Sequence, residues 1–266
     1  MYRERAGILG NEMNKDLTTL FTGRNLIKRD MVDSTNSQLA ELLKKQPLSE
    51  GTALIASSQS AGRGQSGNSW ISKPGKNILV SYVFYPTFLG VENLFYLNMA
   101  VSLAVKDYIA NLAGESVTVK WPNDIYWKNH KAAGILIETS LQSGIVTQAI
   151  IGIGINMNQE IFPAEIPNAI SLANILGFPF DLAMEFQSLC SFIEARYLQL
   201  QKMDLARIRD EYERSLFRRA QWHTYSDHGR IFNGKIYGVN ERGMLILETE
   251  EKKILPFDLK QIRFVF

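Results

Sequence analysis

Residues 117–138 read VTVKWPNDIYWKNHKAAGILIE. Val117–Trp121 is a β-branched run stopped by Pro122, and Asn123-Asp124 is turn chemistry leading into the next extended segment. Asp124–Trp127 and Ala132–Glu138 are short apolar runs joined by the polar stretch Lys128–His130, which predicts a β-hairpin. Such a hairpin brings Asp124 roughly opposite Lys131, seven residues away in sequence. A carboxylate beside an ammonium at the edge of a pocket can hold Mg²⁺ and neutralise a phosphoryl group. By itself the same pair is equally a surface ion pair across two strands, worth about 0.2–1 kcal/mol.

Outward from this hairpin, Thr52–Ser57 and Asn77–Tyr85 read as strands, and Gly144–Asn156 as a further apolar strand. Val91–Leu112 is apolar around much of its circumference and predicts a mostly buried helix. Phe180–Gln201 predicts another helix. Asp33-Ser34-Thr35-Asn36 offers cap chemistry ahead of Leu39, Leu42 and Leu43, at amphipathic spacing. From Gly229 onward only short apolar runs separated by turn residues remain. This pattern predicts a small all-β barrel of about 50 residues behind a mixed α/β domain. Residues 1–23 have no convincing period and read as an N-terminal extension.

Composition narrows the classes. A net charge of +2 with no dense Lys/Arg block gives no electrostatic footprint for nucleic acid. No apolar run approaches the roughly 18–20 residues that span a bilayer, and the mixed charges of the first residues do not read as a signal peptide. The single cysteine, Cys190, excludes an intramolecular disulfide framework and a Cys-cluster zinc site. The spacing of His130, His223 and His228 matches no metal-binding pattern, and no Gly-x-Ser-x-Gly elbow supports serine chemistry. A cytoplasmic enzyme fits these limits.

Two further segments carry potential chemistry. In Ala61-Gly62-Arg63-Gly64-Gln65-Ser66-Gly67-Asn68-Ser69-Trp70, three glycines within six residues let the backbone approach a ligand and turn N–H groups toward an anion. Arg63 adds a planar guanidinium suited to carboxylate or phosphate oxygens. The stretch is neither a Walker loop nor a Rossmann fingerprint, and alone it also fits a flexible surface loop. In Ile151-Gly152-Ile153-Gly154-Ile155-Asn156, alternating glycines strip one face of a strand, so a flat ligand or a neighbouring element can lie against the backbone.

Taken together and in order, these segments resemble the biotin–protein ligase family, whose pattern runs roughly GRGRxGxxW, KWPND, KxxGIL, GxGxN. The resemblance is close from about Asp33 to Asn156 and loose in the tail. It implies a class II synthetase-like α+β catalytic domain, residues 1–216, with a mixed sheet and packed helices. An SH3-like β-barrel, residues 217–266, would follow. It implies activation of biotin by ATP to biotinyl-5'-AMP, with Mg²⁺ as cofactor, and transfer to a lysine of a biotin carboxyl carrier protein. A homodimer is left open.

By the same resemblance, Ser34, Thr35 and Asn36 line the biotin head-group pocket with Gln59, while Arg63, Gly64 and Gln65 close over the carboxylate and the adenylate phosphate. Lys131 contacts both of those groups, and Asp124 stands near it and the metal. Gly62, Gly67, Trp70, Lys120, Gly152, Gly154 and Asn156 are expected on the nucleotide side, with Asn156 toward the adenine. Two departures stand out. Gln65 replaces a second arginine common in the family, and the tail ILPFDLKQIRFVF lacks the usual glycine-containing turn.

The alternatives differ at readable places. A lipoate–protein ligase would show an RRxSGGG-like block where this chain has Gly62-Arg63-Gly64. A biotin-responsive regulator needs a winged helix-turn-helix of about 60 residues ahead of the catalytic part, and only about 30 precede Asp33. A monofunctional ligase without DNA binding is therefore expected.

Overall fold

The computed structural model of the protein describes Glu12, Met13 and residues 18–266, so most of the expected extension 1–23 lies outside the described residues. The main body is an eight-stranded sheet. Its strands are β1 (Glu12–Met13), β2 (Asn25–Val32), β3 (Ala53–Gln59), β4 (Ile78–Phe84), β5 (Val117–Lys120), β6 (Asp124–Trp127), β7 (His130–Gln142) and β8 (Ile145–Ile155). They lie in the order β1-β2-β3-β4-β8-β7-β6-β5. Only β2 and β3 pair in parallel, because the helix α1 (Thr35–Lys45) carries the chain back between them; every other neighbour is antiparallel. The sheet is therefore mixed, as expected for an α+β protein. No element is assigned to residues 24–32 by the sequence pattern, since Lys28, Arg29, Asp30 and Met31 hide the alternation there; all four are at least partly exposed.

Side chains alternate across a strand, and here the two faces of the sheet have different tasks. On one face Val80, Tyr82, Phe84, Ile151, Ile153 and Ile155 belong to the large core built with α2 (Leu94–Ala113) and α4 (Leu182–Gln201), the short α3 (Leu172–Leu176) lying between these helices in sequence. Burial of α2 against the sheet, α4 and α5 (Leu205–Arg214) explains its apolar residues all round. The opposite face carries Leu54, Val83 and Ile150 packed under Leu39 of α1, and beside them small or polar residues. The functional site lies on this second face.

Helix α5 falls in a stretch with no sequence-based assignment. Its charged sequence LARIRDEYER buries only Ile208 and Tyr212, a stripe too narrow to stand out. The lead-in to β2 is tied to α4 by Glu194, which accepts the backbone N–H groups of Leu20, Phe21 and Thr22 at 2.6, 2.9 and 2.9 Å. Among the described residues, no helix is long and apolar enough to cross a membrane.

The tail forms a second, antiparallel sheet, in the order β12-β11-β10-β9-β13. It comprises β9 (Trp222–Asp227), β10 (Arg230–Val239), β11 (Leu245–Thr249), β12 (Ile254–Phe257) and β13 (Ile262–Phe264), around buried Tyr225, Ile236, Leu247 and Phe257. It docks through the β10–β11 turn. The Trp121 indole N–H donates to the Gly243 carbonyl at 2.9 Å, and Phe95 of α2 covers Gly243 so closely that a Cβ there would overlap its ring. Gly243 also has φ +79°, a conformation that costs an L-residue roughly 1–2 kcal/mol. Gly243→Ala is therefore expected to lower stability by at least about 1–2 kcal/mol in urea titration. An unchanged midpoint would show that this turn does not fasten the second sheet.

Candidate active site

A cavity of about 790 Å³ opens on the α1 face of the sheet, within the size range of small-molecule sites. Its inner end is uncharged. Thr35 and Asn36 project from the first turn of α1, whose leading Thr35 N–H is capped not by Ser34 but by Gln59 Oε1 at 2.7 Å. Ser81, buried in the middle of β4, lies 2.7 Å from Thr35 Oγ1 and 2.6 Å from Asn36 Oδ1. Asn36 Nδ2 donates to Glu138 Oε2 at 2.8 Å and to the Leu136 carbonyl at 3.3 Å. Each of these polar groups is thus held in one orientation, as a pocket for a polar but uncharged group requires.

The floor beside them is made by glycines. Cross-strand pairing sets Gly134 against Gly154 and Leu136 against Gly152. A Cβ on Gly152 would strike the Asn36 amide, and one on Gly154 would strike the Trp70 indole. The bare strand face anticipated from the sequence is therefore occupied by this chain's own Trp70, and the indole N–H has no acceptor among the described residues.

The outer end is cationic. Lys131 Nζ lies 2.6 Å from Asp124 Oδ1 and 5.6 Å from the centre of the Trp70 ring. The predicted hairpin forms, but its register differs from the expected one: Asp124 faces Gly134, and Lys131 faces Tyr126 across a bulge. The pair still closes because Gly134 has no side chain. Lys131 crosses it, with Cε only 3.2 Å from where a Cβ would stand. Lys120 lines the same end with its amine near the rings of Tyr126 and Phe264 (5.5 and 4.9 Å). Burial pulls its pKa below the ordinary lysine range, with Asp124 opposing and Lys131 and Arg218 reinforcing the shift.

Arg63 lines the cavity while its Nη2 donates to Glu138 Oε2 at 2.7 Å. Its loop folds back on itself through the Arg63–Ser69 bridge, a 3-10 turn at Gln65–Gly67 and a Gly64 N–H to Asn68 carbonyl bond of 2.6 Å.

Of the sequence-predicted residues, Ser34, Thr35, Asn36, Gln59, Arg63, Gly64, Gln65, Trp70, Lys120, Asp124, Lys131, Gly152 and Gly154 line this one cavity. Three do not. Gly62 is buried behind Trp70, where a Cβ would come 2.5 Å from the Trp70 carbonyl oxygen, and Gly67 supplies the positive φ of the exposed turn. Asn156 is buried behind Lys131, donating its Nδ2 to the Lys131 carbonyl at 3.3 Å and its N–H to Ala132 at 2.9 Å, so it braces the start of β7. Sequence reasoning missed Ser81, a lone hydroxyl in an apolar run, which was the available signal. It also missed Leu259, Lys260 and Arg263 of the second sheet's last turn and strand, which line the cavity from more than a hundred residues away. Nothing local marks those three.

Among the described residues no group of three or more His, Cys, Asp or Glu side chains could hold a metal, and Asp124 is the one acidic residue lining the cavity. That donor set suits Mg²⁺ held mainly by phosphate oxygens and water, which needs only one or two protein carboxylates.

Replacing Gly154 by alanine is expected to push the indole off the strand, shift Trp70 emission, and destabilise the fold by about 1–3 kcal/mol. Comparison with Trp70→Phe isolates the emission. Unaltered emission and stability would show that Trp70 does not rest on β8.

Comparison with known proteins gives one answer. A model of the biotin/lipoate A/B protein ligase family matches residues 29–156. The bifunctional ligase/repressor BirA of Bacillus subtilis (strain 168) is 32% identical over 258 residues, covering 94% of this chain and 78% of its own length. The biotin--[acetyl-CoA-carboxylase] ligase of Mycobacterium tuberculosis is 28% identical over 233 residues, covering 85% of each. Among solved structures, the biotin protein ligase from Aquifex aeolicus in complex with biotin and ATP has a TM-score of 0.75 at 28% identity, covering 91% of this chain and 100% of that one. With this near full-length likeness added to a cavity that gathers the four sequence motifs onto one sheet face, the chain belongs to the biotin/lipoate A/B protein ligase family.

Proposed function

We propose that this protein is a biotin–protein ligase acting in the cytoplasm, forming biotinyl-5'-AMP from biotin and ATP and then biotinylating a lysine of a carboxyl carrier protein. One observation carries the reading: a single cavity has an uncharged, hydrogen-bonding end at Thr35 and Asn36, with Arg63 tied beside it through Glu138, and a cationic end at Lys120 and Lys131. Biotin has the same polarity, a nearly neutral bicyclic head and an acid tail.

In the first half-reaction a biotin carboxylate oxygen attacks the α-phosphorus of ATP, and the bond to the departing pyrophosphate breaks. Two anions must approach one another. Arg63 and Lys131 offset that repulsion and stabilise the charge that develops, while Asp124 holds the Lys131 ammonium in place. Mg²⁺ arriving with the nucleotide would be held by Asp124 and would neutralise phosphate charge. Lys260 and Arg263 extend the cationic wall toward a triphosphate, so the second sheet completes the nucleotide side. In the second half-reaction the carrier amine attacks the acyl carbon, the acyl–oxygen bond breaks and AMP leaves. On this reading Asp124 accepts the proton of the incoming ammonium. The Gly62–Trp70 loop lies over the cavity, and this covering would keep water from the reactive anhydride.

On this reading the catalytic part ends near residue 216 and residues 217–266 form an SH3-like unit. The carrier docks by strand pairing, and the chain binds no DNA.

Pyrophosphate release measured with Mg²⁺-ATP and either biotin or lipoate, without carrier, tests the function. Release with biotin and none with lipoate is expected; no release with biotin would refute the assignment. Lys131→Ala should reduce the rate by about a hundredfold or more with unchanged circular dichroism, and a near-normal rate would displace Lys131 from the site. Arg263→Ala should raise KM for ATP about tenfold, the loss of one charge-assisted hydrogen bond, and leave KM for biotin nearly unchanged. Equal effects on both would remove it from the nucleotide side.

A further inference from the structure

Glu138 closes the KxxGIL segment but does not line the cavity, and none of the chemistry above uses it. Its position is nonetheless specific. One oxygen, Oε2, accepts both Asn36 Nδ2 at 2.8 Å and Arg63 Nη2 at 2.7 Å. Asn36 is in turn fixed by Ser81 through its Oδ1. A continuous chain of polar contacts therefore runs from the buried β4 hydroxyl, through the uncharged end of the cavity, to the single cation of the glycine-rich loop. The loop backbone is held by the Arg63–Ser69 bridge, and the long Arg63 side chain is held at the cavity by the Glu138 carboxylate.

We propose that Glu138 is a positioning residue: it holds Arg63, and with it the Gly62–Trp70 loop, at the cavity mouth and locks that placement to the amide of Asn36. One Arg63 nitrogen is committed to Glu138, and the remaining guanidinium donors serve the anion of the substrate. Glu138 acts through Arg63 and Asn36 and touches no reacting atom. Its consequence for the reaction rests on the ligase reading above, whereas the anchoring itself does not.

The substitution Glu138→Gln weakens the two bonds unequally. The amide oxygen still accepts from Asn36, but the charge that holds Arg63 is gone. In the ligand-free full chain, tryptic cleavage after Arg63, followed by mass spectrometry, is expected to quicken about 2–5-fold, the size of a part-exposed ion pair. Cleavage after Lys252, in the distant β11–β12 turn, should stay constant. An unchanged rate at Arg63, or a parallel rise at Lys252, would overturn the anchoring role. In pyrophosphate release the same variant should raise KM for biotin about 2–5-fold and lower kcat by a similar factor, since Arg63 also meets the charge that develops. Faster cleavage with KM for biotin and kcat both unaltered would confine Glu138 to anchoring the free loop and overturn its role in the reaction. Should the wild-type chain release no pyrophosphate with biotin, the ligase reading fails while the cleavage result still decides the anchor.

Discussion

Gly134, Gly152 and Gly154 strip part of one face of the β7–β8 hairpin of side chains, and the site is assembled in that space. Trp70 lies against Gly154, the Asn36 amide against Gly152, and the Lys131 side chain over Gly134 to reach Asp124. A β-carbon on Gly152 or Gly154 would overlap the Asn36 amide or the Trp70 indole, and one on Gly134 would crowd Trp70 and Lys131. The constraint is steric and local, yet it governs the cavity's depth, the place of its aromatic wall and the closure of its ion pair. Glycine in a strand costs conformational entropy and cross-strand packing. That loss is tolerable here because the other face of the same strands carries Ile135, Ile151, Ile153 and Ile155, all within the main core.

The division of labour between the two faces follows from the period of two. One register supplies a continuous apolar surface to α2 and α4, and the alternate register supplies small and polar groups to the cavity. In β4 the contrast falls within a single strand. Val80, Tyr82 and Phe84 enter the core, while Leu79 lines the cavity and Ser81 holds the two side chains that begin α1. The packed layer thereby fixes the site from behind, and the glycine-rich loop rests on its open side through Trp70.

The second sheet is part of this arrangement. Trp121 and Pro122 bind it and α5 to the hairpin: the Trp121 indole bonds to Gly243, and the Pro122 carbonyl accepts from Tyr212 and Asn98 at 2.8 Å each. Phe264 faces the Lys120 amine, and Leu259, Lys260 and Arg263 reach the cavity. The strand stop that Pro122 imposes therefore also serves as a junction between α2, α5 and the tail.

The local features are legible in the chain's residues alone. Pro122 and Asn123-Asp124 set the hairpin's start, the polar stretch Lys128–His130 contains its turn at Lys128-Asn129, and the alternating glycines announced an open strand face; each depends on dihedral preference or on the period of a strand, which a few consecutive residues specify. The resemblance added the ligand classes to those positions. It was the tertiary structure that decided the register pairing Asp124 with Gly134, the removal of Asn156 to the back of Lys131, the burial of Ser81 beneath α1, and the entry of Lys260 and Arg263 into the cavity. Those outcomes depend on a bulge, on which layer covers which face, and on the docking of one sheet against another. Their energies come from contacts between segments tens to more than a hundred residues apart, so no window of sequence contains them.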